Sequence, residues 1–218
     1  MKLYNLKVSC LIVIIATVLG PLSVLIVQWF EPLPPWNGIN QYVSSYHKVH
    51  SISILFGFVL LIGFVKFIAA SISLGEKDQK GHLTAAIIYT AIYGTLAGFN
   101  YIVNSSYIHH VFNENLDVVE ILTMNNPKSI CWSIEMYSYG FLGLATYSIA
   151  PVFRASATIV NMLKINGIAS VAGALVTFFK LSWVLSPVGM IAYIGWNIFI
   201  VLTMVLIIRK YKSATNGE

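Results

Sequence analysis

Residues 8–30 read VSCLIVIIATVLGPLSVLIVQWF, twenty-three positions without one charged side chain. As a helix this stretch is about 35 Å long at 1.5 Å per residue, more than the roughly 30 Å of a bilayer's hydrocarbon core. A secretory signal peptide has an apolar core of only about 7–15 residues, closed by a small-residue cleavage site. This stretch is longer and has no such site after it, so the sequence predicts a retained transmembrane helix. Gly20-Pro21 within it predicts a kink, because proline has no N–H to bond one turn back.

Working outward, five more stretches are long and apolar enough to be read the same way: 51–74, 83–103, 129–153, 166–185 and 188–208. The expectation is an all-α polytopic membrane protein with six transmembrane helices, a single integral membrane domain over residues 1–218. The last two stretches are separated only by Ser186-Pro187 and form a tight hairpin, proline being suited to start the second helix. Of the 218 residues 57% are apolar and 10% charged, against about 25% charged in a soluble domain. That balance excludes a disordered chain, a disulfide scaffold and a nucleic-acid-binding module, and it makes the lipid bilayer the main partner.

Lys and Arg set the orientation. With the N-terminus in the cytoplasm, Lys2, Lys7, Lys77, Lys80, Arg154, Lys164, Arg209, Lys210 and Lys212 lie inside, and only Lys48 and Lys128 outside. Both termini are therefore expected on the cytoplasmic face of a plasma (inner) membrane. The net charge of +5 is a topology signal. Cys10 and Cys131 fall near opposite membrane faces, too far apart for the roughly 7 Å Cα spacing of a disulfide.

Between the spans, residues 31–50 begin with an extended Glu-Pro-Leu-Pro-Pro run and carry Trp36, Tyr42 and Tyr46 as interfacial anchors. Residues 75–82 read as a polar turn. Val111, Leu116, Val119 and Leu122 predict a short amphipathic helix lying on the outer surface within residues 107–124. The basic connection 154–165 reads as an inner-face segment. Gly94 with Gly98, Ala169 with Gly173, and Gly140 with Gly143 read as close helix contacts.

Ionisable groups inside spans are costly and ask for a reason. Glu135 and Lys180 each lie about 9 Å inside the outer end of consecutive spans. An ion pair between them would offset the burial of both, either as a helix staple or as the charged floor of an outward-facing cavity. Trp132 and Tyr139 share a helix face with Glu135, Trp183 follows Lys180 by three, and Asn100, Tyr101 and Asn104 lie at similar depth. Together they outline a small-ligand pocket built by the third, fourth and fifth spans. The plainer reading is an aromatic belt with asparagines bonding across helices, a role that also suits the midplane Asn197.

His47 and His50 precede the second span, and His110, Glu114 and Asp117 fall at i, i+4 and i+7 of the proposed surface helix. Four imidazoles counting His109, with two carboxylates, could in principle gather a metal such as zinc. No zinc-binding spacing, nucleophile elbow, P-loop or dinucleotide fingerprint is present. No metal and no cofactor is predicted, and no catalytic residue is assigned.

Asn125-Asn126-Pro127-Lys128-Ser129-Ile130, Trp132-Ser133-Ile134-Glu135, Tyr139-Gly140, Gly143-Leu144-Ala145-Thr146 and Ala150-Pro151-Val152-Phe153 carry a resemblance. The stretch resembles an uncharacterised family of small multi-pass bacterial and archaeal membrane proteins. The resemblance implies the six-helix architecture, draws attention to Glu135, and brings no activity with it. Three functions compete at this point. One is a membrane protein whose outward-facing polar and aromatic cavity binds a small molecule, lipid or ion for transport or sensing. The second is a membrane-embedded hydrolase or transferase using Glu135 or the outer histidines. The third is a structural or accessory subunit. Whether Glu135 lines open space separates them.

Overall fold

A computed structural model describes residues 2–112 and 114–212. Among them the chain is all helix and turn, with nine α-helices. These are α1 (Lys2–Phe30), α2 (Ile39–Ser45), α3 (Ile52–Ile72), α4 (Lys80–Ile102), α5 (Ile108–Val111), α6 (Leu116–Leu122), α7 (Ile130–Ile149), α8 (Ala157–Phe179) and α9 (Pro187–Lys212). The long ones close a ring. α1 packs on α3, α3 on α4, α4 on α7, α7 on α8, α8 on α9, and α9 returns to α1.

The outside of the ring is greasy. Leu11, Ile15, Leu25, Ile62, Ile168, Phe178 and Ile191 stand exposed, an apolar surface that only lipid can solvate. Among the described residues five helical segments are long and apolar enough to cross a membrane: Leu3–Phe30, Lys48–Ile72, Lys77–Val111, Ala157–Phe179 and Pro187–Tyr211. Length and apolarity thus select five segments where six were expected. The stretch expected at 129–153 does form a helix, α7, but Glu135, its serines and its tyrosines make it too polar to qualify. Half of α7 is covered by protein, including Glu135, Ser138, Gly140, Gly143 and Thr146. Its hydroxyls bond inside the helix, Ser138 to the carbonyl of Glu135 and Thr146 to that of Gly143.

Two further boundaries move. The expected span 166–185 is α8, which starts nine residues earlier at Ala157 and ends at Phe179. The basic segment is thus mostly the first turns of that helix, and Lys180 lies just beyond it in extended backbone (φ −146°, ψ 99°). Pro21 sits inside a continuous α1, where it has no N–H for the carbonyl of Thr17.

Small residues set the closest approach, between α7 and α8. A Cβ at Gly143 would lie 2.6 Å from Cβ of Ser170 and 2.7 Å from the Gly167 carbonyl oxygen, and one at Gly140 would lie 2.7 Å from Cβ of Ala174. Gly94 and Gly98 are not such contacts: a Cβ at Gly94 meets nothing within 4 Å and one at Gly98 only Leu61 at 3.8 Å. Their side of α4 has no helix pressed against it closely enough to need glycine.

One end of the ring is plugged by an apolar core that includes Leu6, Phe64, Phe67, Phe153, Leu163 and Ile207. There Arg154 pairs with Glu76 and Asp78, and Gln79 Nε2 donates to the Pro151 carbonyl at 2.9 Å. The other end carries a second core of Tyr42, Val103, Ile108, Val119 and Cys131, flanked by Trp36 and Phe112. Tyr42 is therefore a core residue of a small cap, not an interfacial anchor. Its hydroxyl accepts from Thr123 Oγ1 and Asn125 Nδ2, both at 3.1 Å. The expected surface helix is also two pieces: α5 stops at Val111, and Asn115 caps α6 by accepting from the N–H of Val118. That break puts His110, Glu114 and Asp117 off a common helix face.

Candidate functional site

The chemistry gathers at the cap end of α4. Asn100 and Tyr101 are consecutive and point about 100° apart, and both reach the same carboxylate on α7. Asn100 Nδ2 donates to Glu135 Oε2 at 2.8 Å, and the Tyr101 hydroxyl donates to Glu135 Oε1 at 2.9 Å. Glu135 is only 5% exposed. A carboxylate has about four acceptor sites, and these two bonds occupy one on each oxygen without a cation beside it.

The donors are themselves held. From Val103 to Tyr107 the backbone takes a π-helical turn, a widening often found where a helix serves a site. Asn104 lies in it. Its Oδ1 accepts from the N–H of Met124 at 2.8 Å, and its Nδ2 donates to Oδ1 of Asn100 at 3.0 Å. With its oxygen occupied that way, Asn100 presents its amide nitrogen to Glu135. On the other side, Gly57 of α3 lets the Tyr101 ring lie flush, since a Cβ there would sit 2.8 Å from Cζ.

A cavity of about 200 Å³ opens beside the carboxylate. Thr17, Pro21 and Val24 of α1 line it with Ser53 and Gly57 in the first turns of α3; Tyr101, Glu135 and Tyr139 close a second side, and Tyr193, Trp196 and Asn197 of α9 a third. A larger cavity of about 450 Å³ lies toward the cap, walled by Pro34, Trp36, Gln41, Tyr42, His50 and Trp132 among others. Val24, Ser53 and Met124 belong to both walls, so the two adjoin as vestibule and chamber. Among the described residues each has one buried polar atom without a hydrogen-bond partner: Gln41 Oε1 in the vestibule and Thr17 Oγ1 in the chamber. Such orphans are rare and mark places where a water or ligand atom completes a bond.

The sequence-predicted residues divide accordingly. Glu135, Tyr101, Tyr139 and Asn197 line the chamber, Asn100 and Asn104 stand behind it, and Trp132 lines the vestibule. Trp183 does not reach either; it borders a separate pocket of about 140 Å³ with Tyr139 and Trp196, its Nε1 donating to Thr177 Oγ1 at 2.8 Å. Lys180 is exposed, and among the described residues no ion pair joins it to Glu135. α8 ends before Lys180, so its side chain starts outside the helix that would have carried it to the carboxylate.

Of the third, fourth and fifth spans, the third and fourth supply Tyr101, Glu135 and Tyr139 to the chamber wall. α8 contributes nothing to the chamber, whereas α1, α3 and α9 do, because the ring closes α9 onto α1. Two signals pointed there. Thr17 stands four residues before Pro21, at the carbonyl proline leaves unbonded, and Tyr193, Trp196 and Asn197 repeat at helical spacing.

The histidines do not converge. His50 Nδ1 accepts from the N–H of His47 at 2.9 Å and its Nε2 donates to the Glu31 carbonyl at 2.8 Å, so both ring nitrogens are used. His109 Nε2 bonds Ser51 Oγ at 2.9 Å, and His110, Glu114 and Asp117 are exposed. Among the described residues no three His, Cys, Asp or Glu side chains lie close enough to hold a metal ion. His47 faces Glu31 at 3.7 Å in an exposed pair. Cys10 and Cys131 are buried and free.

Ring, lipid-facing surface and buried carboxylate together define the class: a polytopic, all-helical membrane protein. Compared with protein-family models, with curated proteins and with solved structures, the chain matches none.

Proposed function

We propose that this protein resides in the plasma membrane and takes a small molecule from the cap side, through the vestibule, to the chamber beside Glu135, for transport or sensing. The observation that carries this reading is the adjoining pair of cavities with a carboxylate and the unpartnered Thr17 hydroxyl at the deeper end. Intramembrane carboxylates characteristically face a cavity or partner. In this reading α7 makes a sixth crossing, shielded by α4 and α8, which brings both ends of the chain to the cytoplasmic side. Lys77, Lys80, Arg154 and Lys164 then share that side, as the distribution of positive charge favours. Residues 213–218 lie outside the described residues.

Single cysteines test both parts in intact cells with an impermeant maleimide. Cysteine at Asn37, Lys128 and Ser53 is expected to react, Ser53→Cys more slowly because it lines the cavity wall. Cysteine at Lys77 and Ala155 is expected to stay unlabelled until the membrane is permeabilised. Labelling of Ala155→Cys from outside refutes the crossing of α7. An unreactive Ser53→Cys refutes access from the cap side and favours a structural role for the Glu135 cluster.

A further inference from the structure

The chamber's chemistry is lopsided. Among the described residues its wall holds one carboxylate, Glu135, and no Lys, Arg or His. Elsewhere, Arg154 pairs with Glu76 and Asp78, and Lys180 and the α3 residue Lys66 are exposed on the surface of the bundle. A ligand entering the chamber therefore meets one carboxyl group with no cation of the protein's own.

The rest of the wall is aromatic. Tyr101, Tyr139, Tyr193 and Trp196 surround the carboxylate. The rings of Tyr139 and Trp196 meet edge to face, 5.3 Å between centroids at 77°, so two walls stand nearly perpendicular and form a corner. Trp196 is fixed there by its Nε1 donating to Ser170 Oγ at 2.8 Å. Tyr139 is tied to its neighbour, the hydroxyls of Tyr101 and Tyr139 lying 3.4 Å apart. Aromatic rings attract cations through their negative faces, and cages of such rings are the usual recognition device for alkylated ammonium.

Size and hydrogen bonding narrow the class. About 200 Å³ is below the roughly 300 Å³ at which drug-sized pockets begin. A bare calcium or magnesium ion calls for about six or more oxygen ligands, whereas both Glu135 oxygens already accept from Asn100 and Tyr101. A primary ammonium offers three N–H donors, and among the described residues the chamber has a single buried hydroxyl without a partner, Thr17 Oγ1, 3% exposed as a residue. One unpartnered buried hydroxyl, several rings and one carboxyl group suit a compact, methylated cation with one hydroxyl.

We propose that the chamber binds a small quaternary or otherwise alkylated ammonium monocation, with Glu135 as counter-charge, the corner of Tyr139 and Trp196 with Tyr193 as its aromatic wall, and Thr17 as the hydroxyl contact. This rests on the reading that the chamber takes up a small molecule, and deepens it to a substrate class.

The test is a binding titration of the full chain in detergent, read by calorimetry and by Trp fluorescence, at constant ionic strength. Choline is the probe, 3,3-dimethylbutan-1-ol its uncharged isostere, and potassium the hard-cation control. The expected result is saturable choline binding, with the isostere about tenfold weaker or worse. Glu135→Gln and Tyr193→Leu are each expected to lower choline affinity about tenfold, and Glu135→Asp to retain part of it. Tyr193 is 44% exposed, so its replacement keeps the test open if Glu135→Gln fails to fold. Equal binding of choline and the isostere, indifferent to both variants, overturns the cation class and leaves small-molecule uptake standing. Binding of potassium with none of choline overturns the proposal likewise. Binding of neither probe overturns it too, and the reactivity of Ser53→Cys then decides separately whether the cavities are reached at all.

Discussion

Gly57 carries no side chain, and a Cβ added there would lie 2.8 Å from Cζ of Tyr101. Ordinary contact begins near 3.4 Å, so Gly57→Ala displaces the ring by about 0.6 Å. Tyr101 is 3% exposed and packs edge-on against Phe58 at 5.4 Å, so the ring cannot give way on that side. Its hydroxyl sits 2.9 Å from Glu135 Oε1. Moved by that amount along the bond, it arrives either at a repulsive separation or at about 3.5 Å, and neither is a good hydrogen bond. Losing the bond costs about 1–3 kcal/mol, from a neutral to a charged acceptor. Alanine recovers about 1 kcal/mol of helix propensity. The net expectation is a loss of about 0–2 kcal/mol for Gly57→Ala and about 1–3 kcal/mol for Tyr101→Phe. The double variant is the decisive measurement, because phenylalanine keeps Cζ but has no bond left to break. Equilibrium unfolding in mixed micelles should show a coupling energy of about 1 kcal/mol or more. Effects that add to within about 0.5 kcal/mol would refute the idea that Gly57 acts on the carboxylate through Tyr101.

Three other substitutions and a change of pH probe the same structure. Gly143→Ala should destabilise by about 2 kcal/mol, since overpacking against a neighbouring helix backbone costs about 3 and helix propensity returns about 1; Gly94→Ala, with nothing within 4 Å, should be neutral or stabilising, and thermal melting that ranks them the other way refutes the α7–α8 contact. Tyr42→Phe should cost about 1–2 kcal/mol at neutral pH by taking the acceptor from Thr123 and Asn125. Burial pushes the Tyr42 phenol up from its usual value near 10. The unfolded chain then releases that proton first, so stability is full below pH about 10 and falls as pH rises beyond it; a melting temperature that falls equally in Tyr42→Phe shows that this phenol is not the cause.

Much of the architecture was legible because lipid imposes its demands locally. A bilayer asks for about 20 apolar residues in a row, and residues 8–30 answer that without reference to any other part of the chain. The spans at 51–74, 83–103 and 188–208 were readable for the same reason. α7 shows the limit of that logic. Its polar residues lower its apolarity, yet they are satisfied by its own carbonyls and by α4, which hydropathy does not register. Glu135 was legible as an anomaly, a charge where charge is costly, but its partner was not. The sequence pointed to Lys180 on the next apolar stretch; where α8 stops was decided by backbone geometry at Phe179 and Lys180.

By itself, then, the sequence determined the solvent of this protein, the approximate positions of most long helices and the residue that would need explaining. Only the tertiary structure decided which helices are neighbours, and that α9 closes on α1. That closure brings Thr17 and Trp196, from opposite ends of the chain, to one wall with Glu135. Apolar patterning states that a face is buried, but every greasy helix satisfies it equally well against lipid or against protein. The choice of neighbour rests on shape: the bare backbones of Gly143 and Gly167 against each other, the Tyr101 ring against Gly57, and the asparagine relay of Asn104 and Asn100. Those are contacts between distant residues, and they exist only once the chain has folded.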